Sequence, residues 1–99
     1  MAVTGMAYKG LRGARYRFMM EHMPDRVREL EASGRMDGYL DGVQARYLRR
    51  ADDLMPGCMR SCGATPELQR TDCGEYYTRL EQAERMAREI AYREVVEES

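Results

Sequence analysis

The stretch YRFMMEHMPDRVRELEASGRMDGYL, residues 16–40, predicts a helix, a turn and the start of another helix. Its apolar side chains recur every three or four residues, which is the spacing of one face of an α-helix. Pro24 interrupts that face, because its ring collides with the carbonyl four residues earlier, so we expect a kink or a break there. Ser33 and Gly34 end the element, with the glycine placed for the left-handed conformation that follows many helices. Asp37 then suits the N-cap of the next helix.

Helical spacing continues on both sides of this stretch, and no segment alternates as a half-buried strand would. We therefore predict an all-α fold, a small bundle of three to four helices with a long C-terminal helix, in one domain. A flexible N-terminus, residues 1–7, is expected to precede it. The predicted helices cover about residues 8–33, 37–55, 66–72 and 74–97.

Residues that stop or start helices set these boundaries. Pro56 is expected to end the second helix, because a proline removes one backbone donor, and residues 57–65 are then a loop. Thr65 and Pro66 have the residue types of an N-cap and a first helical position. They predict the start of the next helix.

The length of the last helical stretch suggests a break. An unbroken helix from Pro66 to Glu97 would be about 48 Å long, well beyond the dimensions of a domain of this size. Either Gly74 breaks it, or its end docks on a second chain. We expect the break, and keep a homodimer through the C-terminal helix as a possibility.

The composition predicts a core built from unusual residues. Leu, Ile, Val and Phe together number 14 of 99 residues, whereas there are nine Met and seven Tyr. Methionine adapts to irregular gaps, and a buried tyrosine needs a partner for its hydroxyl. The side chains expected to replace branched aliphatic residues are Phe18, Met19, Met23, Met36, Tyr39, Tyr47, Met55 and Tyr76.

The sequence contains no apolar window long enough for a membrane span and no secretory signal, so we expect a cytoplasmic protein without a membrane partner. Three cysteines, an odd number without a secretory context, indicate reduced thiols.

Two segments carry a family resemblance. Residues 16–40 read aromatic–aliphatic–x–Glu–His, then a helical stretch, then Ser–Gly–basic–aliphatic–Asp–x–Tyr–Leu. The matching positions are Phe18, Met19, Glu21, His22, Ser33, Gly34, Arg35, Met36, Asp37, Tyr39 and Leu40. Residues 79–96, RLEQAERMAREIAYREVV, are similar to a closing helix, notably at Ala87, Glu89 and Ile90.

Together these segments, nearly half of the chain, resemble TnpV, a family of small proteins encoded by bacterial transposons. The chain departs from the family pattern at Pro24, where a basic residue is expected, and at its three cysteines. The resemblance implies a passenger of a mobile genetic element, and it implies no mechanism.

Cysteine and histidine raise the question of a metal site. Cys58, Cys62, Cys73 and His22 have the ligand types of zinc. They lack the two close ligand pairs that structural zinc sites usually have, so they are weak candidates. We predict free thiols, no metal and no cofactor.

Charge is uneven along the chain, because the first 20 residues contain four basic side chains and no acid, while the second half is acidic. Arg12, Arg15 and Arg17 form a basic row with Tyr8 and Tyr16 nearby, an arrangement typical of a phosphate-binding helix. The pI of about 5.9 argues against a nucleic-acid binder, and we favour the interpretation that opposite charges bring the two ends together. Candidate interaction residues are Arg12, Arg15, Arg17, Met20, His22, Arg35 and Tyr39.

The sequence favours binding over catalysis. His22 has no second histidine and no recognisable nucleophile coupled to it, and 99 residues are too few for a tyrosine recombinase. We therefore predict a non-enzymatic accessory protein of a bacterial mobile element that binds a macromolecule, a protein more readily than DNA. The alternatives are an anti-CRISPR-type inhibitor of a host nuclease complex and a small DNA-binding factor of transposition.

Overall fold

A computed structural model describes residues 8–98, in which every regular element is helical and no strand occurs. The all-α prediction is confirmed, including the long C-terminal helix. The elements are α1 (Gly10–His22), α2 (Pro24–Ala32), α3 (Met36–Cys62), α4 (Pro66–Thr71), α5 (Cys73–Tyr92) and a π-helical turn (Arg93–Glu97). The predicted flexible segment, residues 1–7, lies outside the described residues.

Pro24 breaks the first predicted helix into two. Met23 leaves the helical conformation, with φ −141° and ψ 57°, and Pro24 occupies the first turn of α2. Proline is tolerated there because the first amides of a helix have no intrahelical acceptor. The sequence allowed a kink or a break, and the structure has the break.

The prediction that Pro56 ends a helix at residue 55 is wrong, because α3 continues through Pro56 to Cys62. A proline inside a helix costs roughly 3 kcal/mol. The residues that follow offset this cost: Cys58 is buried, and Met59 and Cys62 pack against the same apolar cluster. The predicted loop at residues 57–65 therefore shrinks to residues 63–65.

Two glycines end their helices in the same way. Gly34 and Gly63 have φ of 71° and 79°. The amide of the residue after each glycine donates to the carbonyl five residues earlier, Arg35 to Leu30 at 2.9 Å and Ala64 to Met59 at 2.8 Å. This is the Schellman arrangement, which favours glycine because a Cβ clashes at positive φ. It confirms the role predicted for Gly34.

The starts of three helices test the predicted caps. Thr65 is confirmed, since its Oγ1 accepts a hydrogen bond from the Leu68 amide at 3.2 Å. Asp37 is not the N-cap of α3, because the helix begins one residue earlier and the Asp37 carboxylate accepts from Tyr8 instead. The break before α5 falls at Asp72, not Gly74, and Asp72 Oδ1 accepts from the Glu75 amide at 3.1 Å.

The chain forms two compact units, one comprising residues 8–46 and 92–98 among those described, the other residues 47–91. In the first unit, the apolar faces of α1, α2 and the start of α3 meet. Its buried cluster is Tyr16, Met19, Val27, Leu30, Met36 and Leu40, with Tyr8, Met23 and Tyr39 packed against it.

In the second unit, α3 and α5 pack through Cys58, Ala83 and Ala87, with Met55 and Met59 among the half-buried neighbours. The predicted use of methionine and tyrosine as core residues is confirmed at Met19, Met36 and Tyr76, which are buried. The other five are half-buried, namely Phe18, Met23, Tyr39, Tyr47 and Met55. None of the helices that residues 8–98 form is long and apolar enough to cross a membrane.

Replacing Gly34 by alanine should destabilise the protein by about 1 kcal/mol, because a Cβ at φ 71° is strained although no atom lies within 4 Å of it. Gly42, inside α3 and equally open, provides the matched control. Gly42→Ala should stabilise by about 0.5–1 kcal/mol, since alanine has the higher helix propensity. Urea unfolding of both variants measures the difference, and shifts of the same sign would contradict this account.

Candidate functional site

A buried arginine joins three segments of the first unit. Arg15, in α1, is only 3% exposed. Its Nε and Nη2 donate to the Tyr39 hydroxyl of α3 at 3.1 Å and 2.9 Å, and its Nη1 donates to the Val96 carbonyl of the π-helical turn at 2.6 Å. The guanidinium also lies 5.3 Å from the centre of the Phe18 ring.

These contacts decide the role of Arg15. A buried guanidinium is tolerated only when its donors have acceptors, and here a hydroxyl and a helix-terminal carbonyl provide them. Carbonyls at helix ends lack intrahelical donors, so this bond gives the Val96 carbonyl a donor and the Arg15 guanidinium an acceptor. Arg15 therefore holds the C-terminal turn against α1 and α3, and its burial argues against the hypothesis that it binds phosphate as part of an exposed basic row.

The other two members of the basic row, Arg12 and Arg17, differ in their surroundings. Arg12 forms ion pairs with Asp41 at 3.2 Å and Asp37 at 3.9 Å, and its guanidinium lies 5.5 Å from the centre of the Tyr8 ring. Arg17 is exposed on α1. Arg12 and Arg15 therefore contact other segments of the first unit, whereas Arg17 lies on its surface.

Both tyrosines of the predicted phosphate-binding row donate to carboxylates. The Tyr8 hydroxyl donates to Asp37 Oδ1 at 2.7 Å, and this bond, with burial and the Asp37 charge, raises the pKa of Tyr8 to about 12. The Tyr16 hydroxyl donates to Glu31 Oε2 at 3.1 Å, and burial followed by this bond raises the pKa of Tyr16. Tyr16 is 4% exposed, so its ring is not a surface for stacking bases.

An open groove of about 270 Å³ lies between α1 and the C-terminal turn of the same unit. Phe18, Tyr92 and Val96 provide its apolar and aromatic surface. Arg17, Glu21 and Glu97 provide its charges, and Ala14 completes the lining. Tyr92 is 39% exposed, so its ring is accessible from solvent.

His22 and Glu21 extend this groove along α1. The His22 ring lies 4.4 Å from that of Phe18, centre to centre, and His22 Nε2 is 4.0 Å from Glu21 Oε2. Both side chains are more than half exposed. The two residues are a surface feature next to an aromatic ring.

Three further candidates lie elsewhere in the first unit. Met20 is 49% exposed, as predicted for an outward-facing methionine. Arg35 is exposed, donates to Ser33 Oγ at 2.9 Å and lies 3.7 Å from Glu29. Tyr39 is half-buried, and its hydroxyl accepts two hydrogen bonds from Arg15, so it stabilises the fold of the first unit.

The zinc candidates do not form a site of the kind that zinc needs. No group of three or more His, Cys, Asp or Glu side chains suited to a metal occurs among residues 8–98. All three thiols are free: Cys58 is buried, Cys62 half-buried and Cys73 exposed.

Sequence reasoning missed the contribution of the C-terminal turn, because Tyr92, Val96 and Glu97 have no motif of their own. The signal that was available is the charge pattern. The basic α1 and the C-terminal turn, which contains Glu94 and Glu97, belong to the same unit, and a hydrogen bond from Arg15 to the Val96 carbonyl joins them.

No family model, curated protein or solved structure matches this chain. The groove and the contacts around it are therefore interpreted from their own chemistry.

Replacing Tyr39 by phenylalanine should destabilise the protein by about 1–3 kcal/mol, because two donors of the buried Arg15 lose their acceptor. Tyr77→Phe is the control, since Tyr77 is 54% exposed. Urea unfolding compares the two, and equal stabilities would show that Tyr39 does not support Arg15.

The Tyr8 hydroxyl should titrate near pH 12, against 10.0 for an ordinary tyrosine. Because the pKa of Tyr8 is raised in the folded state, its contribution to stability is complete below pH 10 and is lost as the pH rises to about 12. Tyr8→Phe should remove this part of the alkaline loss. NMR titration of the Tyr8 ring measures the pKa, which Asp37→Asn should lower, and an unchanged value would contradict the assigned cause.

Proposed function

We propose that this protein is a non-enzymatic accessory protein of a bacterial mobile genetic element, which acts in the cytoplasm by binding a macromolecule through the groove beside α1. The observation that carries the proposal is the position of Phe18, Glu21 and His22. These three residues belong to the TnpV-like pattern, and they lie in or next to the groove.

The remaining residues of that pattern have structural roles. Met19, Met36 and Leu40 are buried in the core of the first unit, and Gly34 ends α2. Tyr39 accepts from Arg15. Packing and turn formation therefore account for much of the pattern, whereas the half-buried Phe18 and the exposed Glu21 and His22 are available to contact a partner.

The lining of the groove favours a protein partner. Binding sites on proteins commonly combine aromatic or aliphatic anchors with a few polar groups that set orientation. Here Phe18 and Tyr92 are the anchors, whereas Val96 lines the groove but is only 2% exposed, and Glu21 and Glu97 outnumber the single cation, Arg17. This combination fits a peptide segment that presents an apolar side chain next to a basic one.

DNA is the less favoured partner on the same evidence. The described part of the first unit contains nine basic and nine acidic side chains, so it has no net positive charge. Arg15 is buried and Arg12 is paired with carboxylates. Nucleic-acid affinity depends on an excess of cations that neutralise phosphates, and the nine carboxylates of this unit offset its exposed basic side chains.

The hydrogen bonds and raised pKa values of Tyr8 and Tyr16 agree with a binding role rather than a catalytic one. The hydroxyls of Tyr8 and Tyr16 are occupied as donors to carboxylates, and their pKa values are raised. A tyrosine nucleophile reacts as the phenolate, which a raised pKa disfavours. These two residues are therefore poor candidates for recombinase-type catalysis.

Photo-cross-linking from the groove tests the proposal. Benzoylphenylalanine at position 92 should cross-link one protein in bacterial cells, whereas the same group at position 77, another exposed tyrosine on α5, should not. Glu21→Arg should reduce the yield, because it reverses a charge on the groove, and Glu81→Arg on α5 should leave it unchanged.

The identity of the captured protein decides the role. A transposition enzyme supports the accessory function, and a host nuclease complex supports the anti-CRISPR-type alternative. Equal cross-linking from positions 92 and 77 would contradict binding at the groove. Duplex DNA binding below about 10 µM, measured by fluorescence anisotropy at low salt, would favour the DNA-binding alternative instead.

A homodimer through the C-terminal helix is a further part of the proposal. Met86 of α5, an exposed apolar side chain that is 38% accessible, supports it. Light scattering of the intact protein measures the oligomeric state.

A further inference from the structure

Four sulfur-containing side chains lie on one face of α3. They belong to the sequence MPGCMRSC, and we call them the sulfur face: Met55, Cys58, Met59 and Cys62. At 3.6 residues per turn, these positions fall within about 100° of the helix circumference, over two turns. This arrangement exists only because α3 continues through Pro56.

The sulfur face is sheltered by small side chains. Cys58, which is 5% exposed, belongs to the buried cluster with Ala83 and Ala87 of α5. Met55, Met59 and Cys62 pack against the same cluster and are half-buried. Alanine methyl groups opposite the sulfurs take up little space, and the partial cover keeps bulk water away from the thiols.

A groove of about 280 Å³ leads to this face. Met55 and Ala87 form part of its lining, and the carboxylates of Asp52 and Glu84 lie along it. Arg88 also lines the groove, and the negative charges of Asp52 and Glu84 attract a cation toward Met55. Glu84 is paired with Arg88 at 3.8 Å, so Asp52 is the stronger source of this attraction.

We propose that the sulfur face binds one Cu(I) ion, with Cys58 and Cys62 as the principal ligands and a thioether of Met59 or Met55 as the additional one. Side chains four residues apart on a helix are neighbours, about 5–6 Å apart at Cβ, which lets two cysteine sulfurs reach one ion. Soft sulfur ligands favour Cu(I), zinc and iron–sulfur clusters, and the thioether distinguishes Cu(I), because zinc sites in proteins use Cys, His and carboxylate ligands.

The proton and charge balance of this site is simple. When Cu(I) binds, each of the two thiols loses one proton to solvent, and the resulting bis-thiolate complex has one negative charge. Arg79 Nη1 lies 3.1 Å from the Cys62 carbonyl, to which it donates, so a guanidinium is next to the Cys62 end of the site, where it shares its charge with Glu75, 3.0 Å from Arg79 Nε. Zinc needs about four ligands of the Cys, His or carboxylate type, and the sulfur face has two.

Anaerobic titration of the full chain with Cu(I), supplied as its coloured bicinchoninate complex, tests the proposal. The protein should remove one Cu(I) per chain from the chelator, seen as loss of colour and as one added copper in native mass spectra. The Cys58→Ser/Cys62→Ser variant should remove none. Met59→Leu, which keeps the size of the side chain, should weaken binding several-fold.

Cys73→Ser is the matched control, because Cys73 is exposed and outside the sulfur face, and it should bind copper like the unmodified protein. Cys62→Ser alone provides a variant that leaves the buried Cys58 in place, and circular dichroism checks that each variant is helical. Retention of full affinity in a folded Cys62→Ser variant would overturn the proposal. So would loss of binding in Cys73→Ser, or equally tight binding of Zn²⁺.

Discussion

The first unit depends on the burial of one guanidinium. Arg15 bonds to a hydroxyl of α3 and to a carbonyl of the C-terminal turn, two segments that are 57 residues apart in sequence. Apolar contacts alone are not directional, and a core rich in methionine adapts to several packings. The donors of a guanidinium fork have fixed directions, so they determine which packing satisfies the buried charge. The groove beside α1 is a consequence, because Val96, which lines it, is held in place by this bond.

The local features of the fold were predictable from single residues. Gly34, Pro24 and Thr65 act through backbone rules that apply wherever these residues occur, and the structure has them in the expected roles. Pro56 shows where such rules fail. Its local cost favours a helix end, but the burial of Cys58 after it outweighs that cost. The sequence does not show which neighbour covers Cys58, so the outcome depends on tertiary contacts.

The candidate site was only partly predictable, for a related reason. Arg12, Arg15 and Arg17 look equivalent in the sequence, yet Arg15 is buried, Arg12 is paired with carboxylates and Arg17 is exposed. Their surroundings differ because an α-helix turns by about 100° per residue, which points the three side chains in different directions, and because their acceptors come from distant segments. The charge pattern predicted that the basic and acidic ends meet. It contained no information on Tyr92, whose ring completes the groove.

The division of the chain has a consequence for its synthesis. The first unit is discontinuous, since residues 92–98 complete what residues 8–46 begin, and the second unit lies between them in sequence. Chains leave the ribosome N-terminus first, and compact regions fold as they emerge. Residues 47–91 are therefore all available before the Val96 carbonyl exists. Until then Arg15 Nη1 has no Val96 acceptor, and the first unit closes last although most of its residues are made first.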